Sequence, residues 1–508
     1  MARLDSMLLP LLLAAVGSLI CHAAPAEDQV MILPGLKQQP AFKHYSGYLK
    51  AGGDRHLHYW LVESSKADPT KAPLVLWFNG GPGCSSLEGL LRENGPFRVN
   101  DMAWLEMNPY AWNRDANVLY IEAPAGVGFS YSESNVTKTN DTQVAEDNYL
   151  ALKSFLEKFP EYKGREMHIS GESYGGVYVP TLAARVLTDK SINLRGILIG
   201  NSIDSWPLNS LSLIYFGYYH GLIGYQFWAN LTSSCCNSCV GVRCDFYAGK
   251  SKPACADLLS RAERITDGLN IYNLYQPCYG GVPKSRRQRS LLNNLMFDHL
   301  EDSTMDVTSW TMLMSQDDTQ RDSSQQRQTQ QESPSPQQVA RTYLLRRSRQ
   351  DRLASIGEDP PCTNSTAITT YLNLPAARYA LHVKDVGPYT ICSNLDYTVE
   401  YNDMTPVYQK LLKSGRLRIT LYNGDVDMAC NFLQTEWFLQ NLNQTVTTPR
   451  KPWYFDDPVN GRQIGGFVRQ WAGNLTYLTV RGSGHMVPED KPQQAYVLFK
   501  NHLTGSGY

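Results

Sequence analysis

The stretch MHISGESYGGVYVP, Met167 to Pro180, decides how this chain is read. A short apolar segment, REMHIS, enters a glycine-bounded bend, and VYVPTLAARV leaves it with apolar residues spaced three and four apart. Strand, tight turn and helix form the context in which the serine of Gly-x-Ser-x-Gly is a nucleophile and not a turn hydroxyl. Gly171 and Gly175 leave room for the bend. The bend exposes the Ser173 hydroxyl and lets the Tyr174 N–H point at a developing oxyanion. Without that context the pattern says little, because Gly and Ser crowd ordinary turns.

Apolar runs recur on both sides of this stretch: PLVLWF (Pro73 to Phe78), ANVLYIEAP (Ala116 to Pro124), LRGILIG (Leu194 to Gly200), LRITLYNGD (Leu417 to Asp425) and LTYLTVRGSG (Leu475 to Gly484). They are continuous, not alternating, as strands covered on both faces are. Helical spacing lies between or after them in VAEDNYLALKSFLEKF, VPTLAARVLTD and PQQAYVLFKNHL. The alternation predicts an α/β fold around a mostly parallel central sheet. It breaks between residues 206 and 375, so residues 24–205 and 376–508 are expected to form the two parts of a core with 206–375 inserted. No repeat of solenoid or propeller period is present. Inside the insertion, Ser315 to Gln338 has no large apolar side chain and cannot bury a core. Basic clusters flank it, Lys284, Arg286, Arg287 and Arg289 before, then Arg346, Arg347, Arg349 and Arg352 after. Residues 284–358 are therefore expected to be a linker that trypsin-like proteases cut.

The 508 residues carry a net charge of −1, which gives no reason to expect a nucleic-acid or polyanion partner. At the start, Arg3 precedes an apolar run from Met7 to Ile20 and then small residues, the pattern of a secretory signal peptide over residues 1–23, cut after Ala23. No other apolar run is long enough for a membrane span. Secretion implies an oxidising compartment, in which most cysteines pair. The set CCNSCVGVRC contains a Cys-x-x-Cys, but it lacks a second well-spaced pair for zinc, and disulfides are the expectation. Asn-x-Ser/Thr sequons at Asn135, Asn140, Asn230, Asn364, Asn443 and Asn474 make glycosylation an expectation too.

A serine hydroxyl needs a base, and the base an orienting acid; in this fold class they follow the serine in the order acid, then histidine. His220, His299, His382, His485 and His502 follow Ser173. His485 sits in VRGSGHMVPEDKP on a loop directly after a strand, at the edge where open α/β sheets bind ligands. His502 is expected on the surface of the last helix, and His299 and His382 in the insertion or near its exit. For the acid, LYNGDVDMACN offers both Asp425 and Asp427, and spacing does not choose between them. WFNGGPGCSS ends another strand, and its Gly-Gly turn can bring a backbone N–H to the carbonyl under attack, a donor that stabilises a transition state by roughly 3–4 kcal/mol. Without Gly-Lys-Ser/Thr it is not a phosphate loop.

Four motifs now stand in order: NGGPGCSS, GESYGG, NGDVDMACN and GSGHMVP. With LPGL…SGYL, LHYWLVES, NPYAWN, APAGVGFSYS and GLNIYNLYQPC, the chain resembles the serine carboxypeptidase family of α/β-hydrolases, and within it the lysosomal members, over nearly all of its length except about Lys284 to Glu358. The resemblance implies an α/β-hydrolase fold with an inserted cap domain. It implies a triad of Ser173, Asp427 and His485, which settles the acid, and oxyanion donors at the Gly81 and Tyr174 N–H groups. It implies that Asn79, Glu93 and Glu172 hold the C-terminal carboxylate of a peptide substrate; from its neighbours alone Glu93 reads as a surface charge on a helix. Two glutamates beside a substrate carboxylate cannot all ionise, so an acidic optimum follows. Also implied are the disulfides Cys84–Cys392, Cys278–Cys362, Cys235–Cys255 and Cys236–Cys244, with Cys430 free and Cys239 unassigned. The family reading extends to a zymogen cut in the linker, release of hydrophobic C-terminal residues, esterase and deamidase activity nearer neutral pH, and a lysosomal location with secretion as a second destination. It includes a homodimer and a protective role for lysosomal β-galactosidase and neuraminidase. No metal or cofactor is implied. The alternatives are an acyltransferase on the same triad, as in some plant relatives, and a protective scaffold without catalysis.

Overall fold

The structure is a computed structural model describing residues 24–66, 68–236, 239–240, 243–266, 268–281 and 362–508. The expected leader 1–23, the expected linker 284–358 with its basic clusters, and His299 lie outside the described residues. The main strands are β1 (His44–Lys50), β2 (Arg55–Val62), β3 (Leu74–Phe78), β4 (Asn117–Ile121), β5 (Met167–Glu172), β6 (Leu194–Gly200), β7 (Arg418–Gly424), β8 (Val446–Asp457), β9 (Gly461–Trp471) and β10 (Leu475–Val480). They form one sheet in the order β1-β2-β4-β3-β5-β6-β7-β10-β9-β8, which the short strand Tyr131–Ser132 beside β2 completes to 11 strands. From β4 to β10 neighbours run parallel. The two ends are antiparallel.

Strand β3 shows why the parallel strands read as continuous apolar runs. Leu74, Leu76 and Phe78 point into one core and Val75 and Trp77 into the other. Each fully buried side chain of this size stabilises by about 1.5–3 kcal/mol, so both faces must be covered. One face is covered by α1 (Asp141–Lys158), α2 (Gly175–Val186), α7 (Thr405–Lys413) and α8 (Phe432–Asn441). The other carries α6 (Thr366–Asn373) and α9 (Pro492–Thr504). Asn140 caps α1 by accepting from Gln143 N at 2.8 Å.

Helices α3 (Trp206–Tyr219), α4 (Tyr225–Cys235) and α5 (Pro253–Glu263) belong to the inserted stretch and share a small core of their own around Tyr215, Leu231, Phe246 and Leu259. A second small cluster joins Leu213, Phe216 and Ile271 to Met428, beside the turn after β7. The structure contains the disulfides Cys84–Cys392, Cys235–Cys255, Cys236–Cys244 and Cys278–Cys362, and Cys430 is a buried free thiol. Asn135, Asn230, Asn443 and Asn474 are exposed, and Asn140 and Asn364 partly so. Among the described residues no helix is long and apolar enough to cross a membrane.

One histidine departs from expectation. His502 faces inward from α9 and is buried. Its Nε2 lies 3.0 Å from Nδ1 of His168 and its Nδ1 2.9 Å from the Thr420 hydroxyl. The helical pattern gave no sign that a polar partner waited on the sheet.

Candidate active site

Strand β5 ends at Glu172, and Ser173 takes φ +61°, a left-handed conformation that costs a residue with a Cβ roughly 1–2 kcal/mol. Three backbone bonds hold it there. Its N–H donates to Gly200 O (3.1 Å), and its carbonyl accepts from Gly176 N (2.9 Å) and Ile203 N (3.1 Å). The residues on either side are buried, while Ser173 is partly exposed. Tyr174 is fixed from its far end, since its phenol donates to Asp141 at 2.7 Å, and Asp141 also accepts from Tyr397 at 2.7 Å.

The turn after β3, the neighbour of β5, closes over this bend. A Cβ on Gly80 would lie 2.3 Å from Tyr174 N and 2.8 Å from Ser173 Cβ, so only glycine permits the approach. Gly81, the expected second oxyanion donor, is the next residue.

Asp427 and His485 come from the turns after β7 and β10, which are adjacent strands. Their side chains meet at 2.8 Å, Asp427 Oδ2 to His485 Nδ1. Asp427 is fully buried and accepts three further bonds, from Asn201 Nδ2 (2.7 Å), Ala429 N (2.9 Å) and Cys430 N (3.2 Å). Four donors for one carboxylate compensate for its removal from water. Asp425 does something else: it accepts from Gly482 N at 2.6 Å and shapes the turn. The Cys430 thiol contacts the Ser173 side chain, and burial first, then the charge of Asp427, hold that thiol well above its ordinary pKa. The sulfur, the imidazole and the Asp427 carboxylate have ligand atoms within 4.8 Å of one another. Ser173, Asp427 and His485 thus share one site. His220 stacks on Phe216 at the end of α3, and Nδ1 of His382 lies 3.2 Å from Ser46 O.

Asn79, Glu93 and Glu172 also meet. The Asn79 amide donates to Glu93 Oε1 (3.1 Å) and Glu172 Oε1 (3.0 Å), while its own oxygen accepts from Trp77 Nε1 (2.7 Å) and Gly89 N (3.0 Å). Glu93 is 1% exposed, so the surface charge suggested by its neighbours is in fact a buried acid. The remaining oxygens, Oε2 of Glu93 and of Glu172, are buried and accept from no protein donor among the described residues. The two carboxyls interact directly, and like charges so close disfavour ionising both. Burial first, and then the charge of Glu93, hold Glu172 well above the ordinary carboxylate range; burial raises Glu93 as well, with Glu88 adding to the shift.

Several contributors were invisible in the sequence. Asn201 directly follows β6 and orients Asp427. Residues 270–276 of the inserted stretch lie across the acid and histidine turns: His485 N donates to Tyr272 O (2.7 Å), and the Tyr272 ring meets the imidazole edge-on at 4.7 Å. A cavity of about 660 Å³ lies beside His485, lined by Tyr272, Met486, Ile368, Arg92 and Glu489 among others. Access to solvent separates this site from a second chain of the same connectivity. Ser46 Oγ lies 2.9 Å from His58 Nε2, and His58 Nδ1 2.8 Å from Glu122, but all three are fully buried and the Ser46 hydroxyl donates to Leu381 O.

The sequence profile described as "Serine carboxypeptidase" matches residues 34–505. The chain is 46% identical over 494 residues to the lysosomal protective protein of Mus musculus, covering 96% of each. It is 39% identical to a serine carboxypeptidase of Caenorhabditis elegans, covering 96% of this chain and 95% of the relative. Among solved structures it resembles Kex1Δp, a prohormone-processing carboxypeptidase from Saccharomyces cerevisiae, with a TM-score of 0.66 and 21% identity over 95% of this chain and 97% of that one. That likeness shows the α/β-hydrolase fold, and the sequence relatives show the activity class. The chain belongs to the serine carboxypeptidase family.

Proposed function

We infer that the protein releases C-terminal residues, hydrophobic ones by preference, from peptides at acidic pH in the lysosome, through an acyl-enzyme on Ser173. The observation that carries this is the buried Asn79–Glu93–Glu172 cluster, one residue from the nucleophile bend. The lysosomal setting is supported by the 46% identity to the mouse lysosomal protective protein.

In this mechanism His485 takes the Ser173 proton as the oxygen attacks the scissile carbonyl, and Asp427 stabilises the imidazolium that forms. The Gly81 and Tyr174 N–H groups receive the oxyanion. His485 returns the proton to the leaving amine as the C–N bond breaks, and water then hydrolyses the ester by the same route in reverse roles. Protonated, Glu93 and Glu172 donate to the substrate's terminal carboxylate; ionised, they repel it. Binding of a free C-terminus therefore weakens as pH rises through their raised pKa values. Esters and amides lacking that carboxylate escape this limit, which supports esterase and deamidase activity nearer neutral pH.

The test is release of free Phe or Leu from a blocked dipeptide by trypsin-nicked protein between pH 4 and 8, beside the C-terminal amide of the same peptide. Release from the free acid should peak below about pH 6 and vanish in Ser173→Ala. Release from acid and amide with the same pH profile would refute the role of the carboxyl pair.

A further inference from the structure

Asp490 lies outside the triad and outside the carboxylate-binding cluster, yet it makes three side-chain bonds, one to the histidine turn and two to the segment packed on it. Its Oδ2 accepts from Gly484 N at 2.7 Å, the residue before His485, and from Asn273 Nδ2 at 2.9 Å. Its Oδ1 accepts from Gln276 Nε2 at 2.9 Å. Asn273 and Gln276 belong to the segment 270–276, which touches both halves of the dyad. Tyr272 O accepts from His485 N at 2.7 Å, Ile271 O accepts from Met428 N at 2.8 Å, and Leu274 N donates to Val426 O at 3.2 Å. The approach is close enough that a Cβ on Gly484 would lie 2.2 Å from Tyr272 O and 2.6 Å from Asn273 Cβ. Asp490, at the end of the short helix Val487–Asp490 that follows the histidine turn, thus pulls that turn onto a strap which also holds the acid turn.

We propose that Asp490 is a positioning residue for His485, clamping Gly484 against the segment Asn270–Gln276 and so fixing where the imidazole stands relative to Ser173 and Asp427. This rests on His485 being the base of the function proposed above. The imidazole turns about bonds that begin at the His485 backbone. Gly484 N on Asp490 and His485 N on Tyr272 O hold that point, beside the local bond from Val487 N to His485 O. Asp490 makes the first directly and, through Asn273 and Gln276, steadies the strap that offers the second. Losing it frees the turn on which the base stands. The cost should fall on the step that needs the base and not on substrate binding.

The test compares Asp490→Ala, Asp490→Asn and Asn273→Ala in the processed enzyme. It follows kcat and KM for a blocked dipeptide and the rate and extent of Ser173 labelling by a fluorophosphonate. Asp490→Ala is expected to lower kcat and the labelling rate together by about 30-fold, as a displacement of under 1 Å does, with KM unchanged within about threefold. Asp490→Asn, which keeps an oxygen for Gly484 N–H, should recover most of that loss. Asn273→Ala takes away one strut and leaves the Gly484 bond. It should show an intermediate loss, which keeps the test open if Asp490→Ala fails to accumulate. A lower melting temperature and labelled fraction, with surviving molecules labelling at the wild-type rate, would make Asp490 merely structural and overturn the proposal. So would an unchanged kcat. Hydrolysis that survives Ser173→Ala would instead remove the parent reading, and is told apart because it concerns a different variant.

Discussion

Replacing Gly80 by alanine tests the closest approach in the site. The added Cβ would stand 2.3 Å from Tyr174 N, 2.8 Å from Ser173 Cβ and 2.9 Å from Glu172 O. Ordinary contact begins near 3.5 Å, so the nearest atom must move by roughly 1.2 Å. All three atoms belong to the backbone or to a Cβ, so no rotamer change relieves the overlap. Overpacking of this kind costs about 1–3 kcal/mol of stability. The larger effect is on alignment. Gly81 follows Gly80 and Asn79 precedes it, so pushing the turn away from the bend displaces the proposed oxyanion donor and the amide that bridges the two acids. A displacement of about 1 Å costs on the order of 100-fold in rate, and loss of one oxyanion donor about 100- to 1000-fold. The assay is kcat on an ester without a free carboxylate, well below the melting temperature and normalised to the serine that labels, so that carboxylate binding and misfolding drop out. We expect a fall of about 100-fold or more. A folded Gly80→Ala protein with kcat within about threefold of wild type would show that the turn does not set the oxyanion geometry.

Two further predictions follow from buried titratable groups. In the proposed mechanism Glu172→Gln removes one of the two acids that donate to a substrate carboxylate only when protonated. At pH 7 the variant should therefore keep a larger share of its pH 5 kcat/KM for free-acid peptides than the wild type does; equal shares would contradict the proposed role of the pair. The buried His168–His502 pair acts on stability. Burial holds His168 below the ordinary imidazole value and His502 well below it, the second also by the charges of His168 and Arg418. The unfolded chain takes up protons below about pH 6.5 while the fold does not, so the stability present above that pH is lost as pH falls towards the depressed folded values, at about 1.4 kcal/mol per unit per histidine. His502→Gln should narrow the difference in urea stability between pH 7 and pH 4.5 by up to about 3 kcal/mol. An unchanged difference would mean that His502 is already charged in the fold.

The parallel strands were legible because both faces are covered, which turns LVLWF or LRGILIG into unbroken apolar runs. The antiparallel ends were not. In β8 most side chains are exposed, and Pro449 and Pro452 interrupt the pattern. In β1 and β2, His44, Ser46 and His58 are buried polar residues with partners on other elements, which no hydropathy pattern displays. In the site, the bend and the histidine turn could be read from strand–turn context. The choice between Asp425 and Asp427 could not, since they share one turn and differ only in what reaches them: Gly482 N for the first, an imidazole and Asn201 for the second. Glu93 was found through resemblance alone. Its role depends on Glu172, far away in sequence, and burial is not a local property.

Strands β6 and β7 are neighbours, with Gly196 opposite Arg418. The chain between them holds the whole inserted stretch, and Asn201 on one side bonds to Asp427 on the other. Ser173, Asn79, Glu93 and Glu172 all precede this seam, and Asp427 and His485 follow it. Closing so long a loop carries an entropic cost that only the contacts made across it repay. A chain in which this seam is open therefore holds Ser173 apart from Asp427 and His485. The constellation is complete only when the sheet is sealed, so the central seam, and no single loop, assembles the proposed machinery.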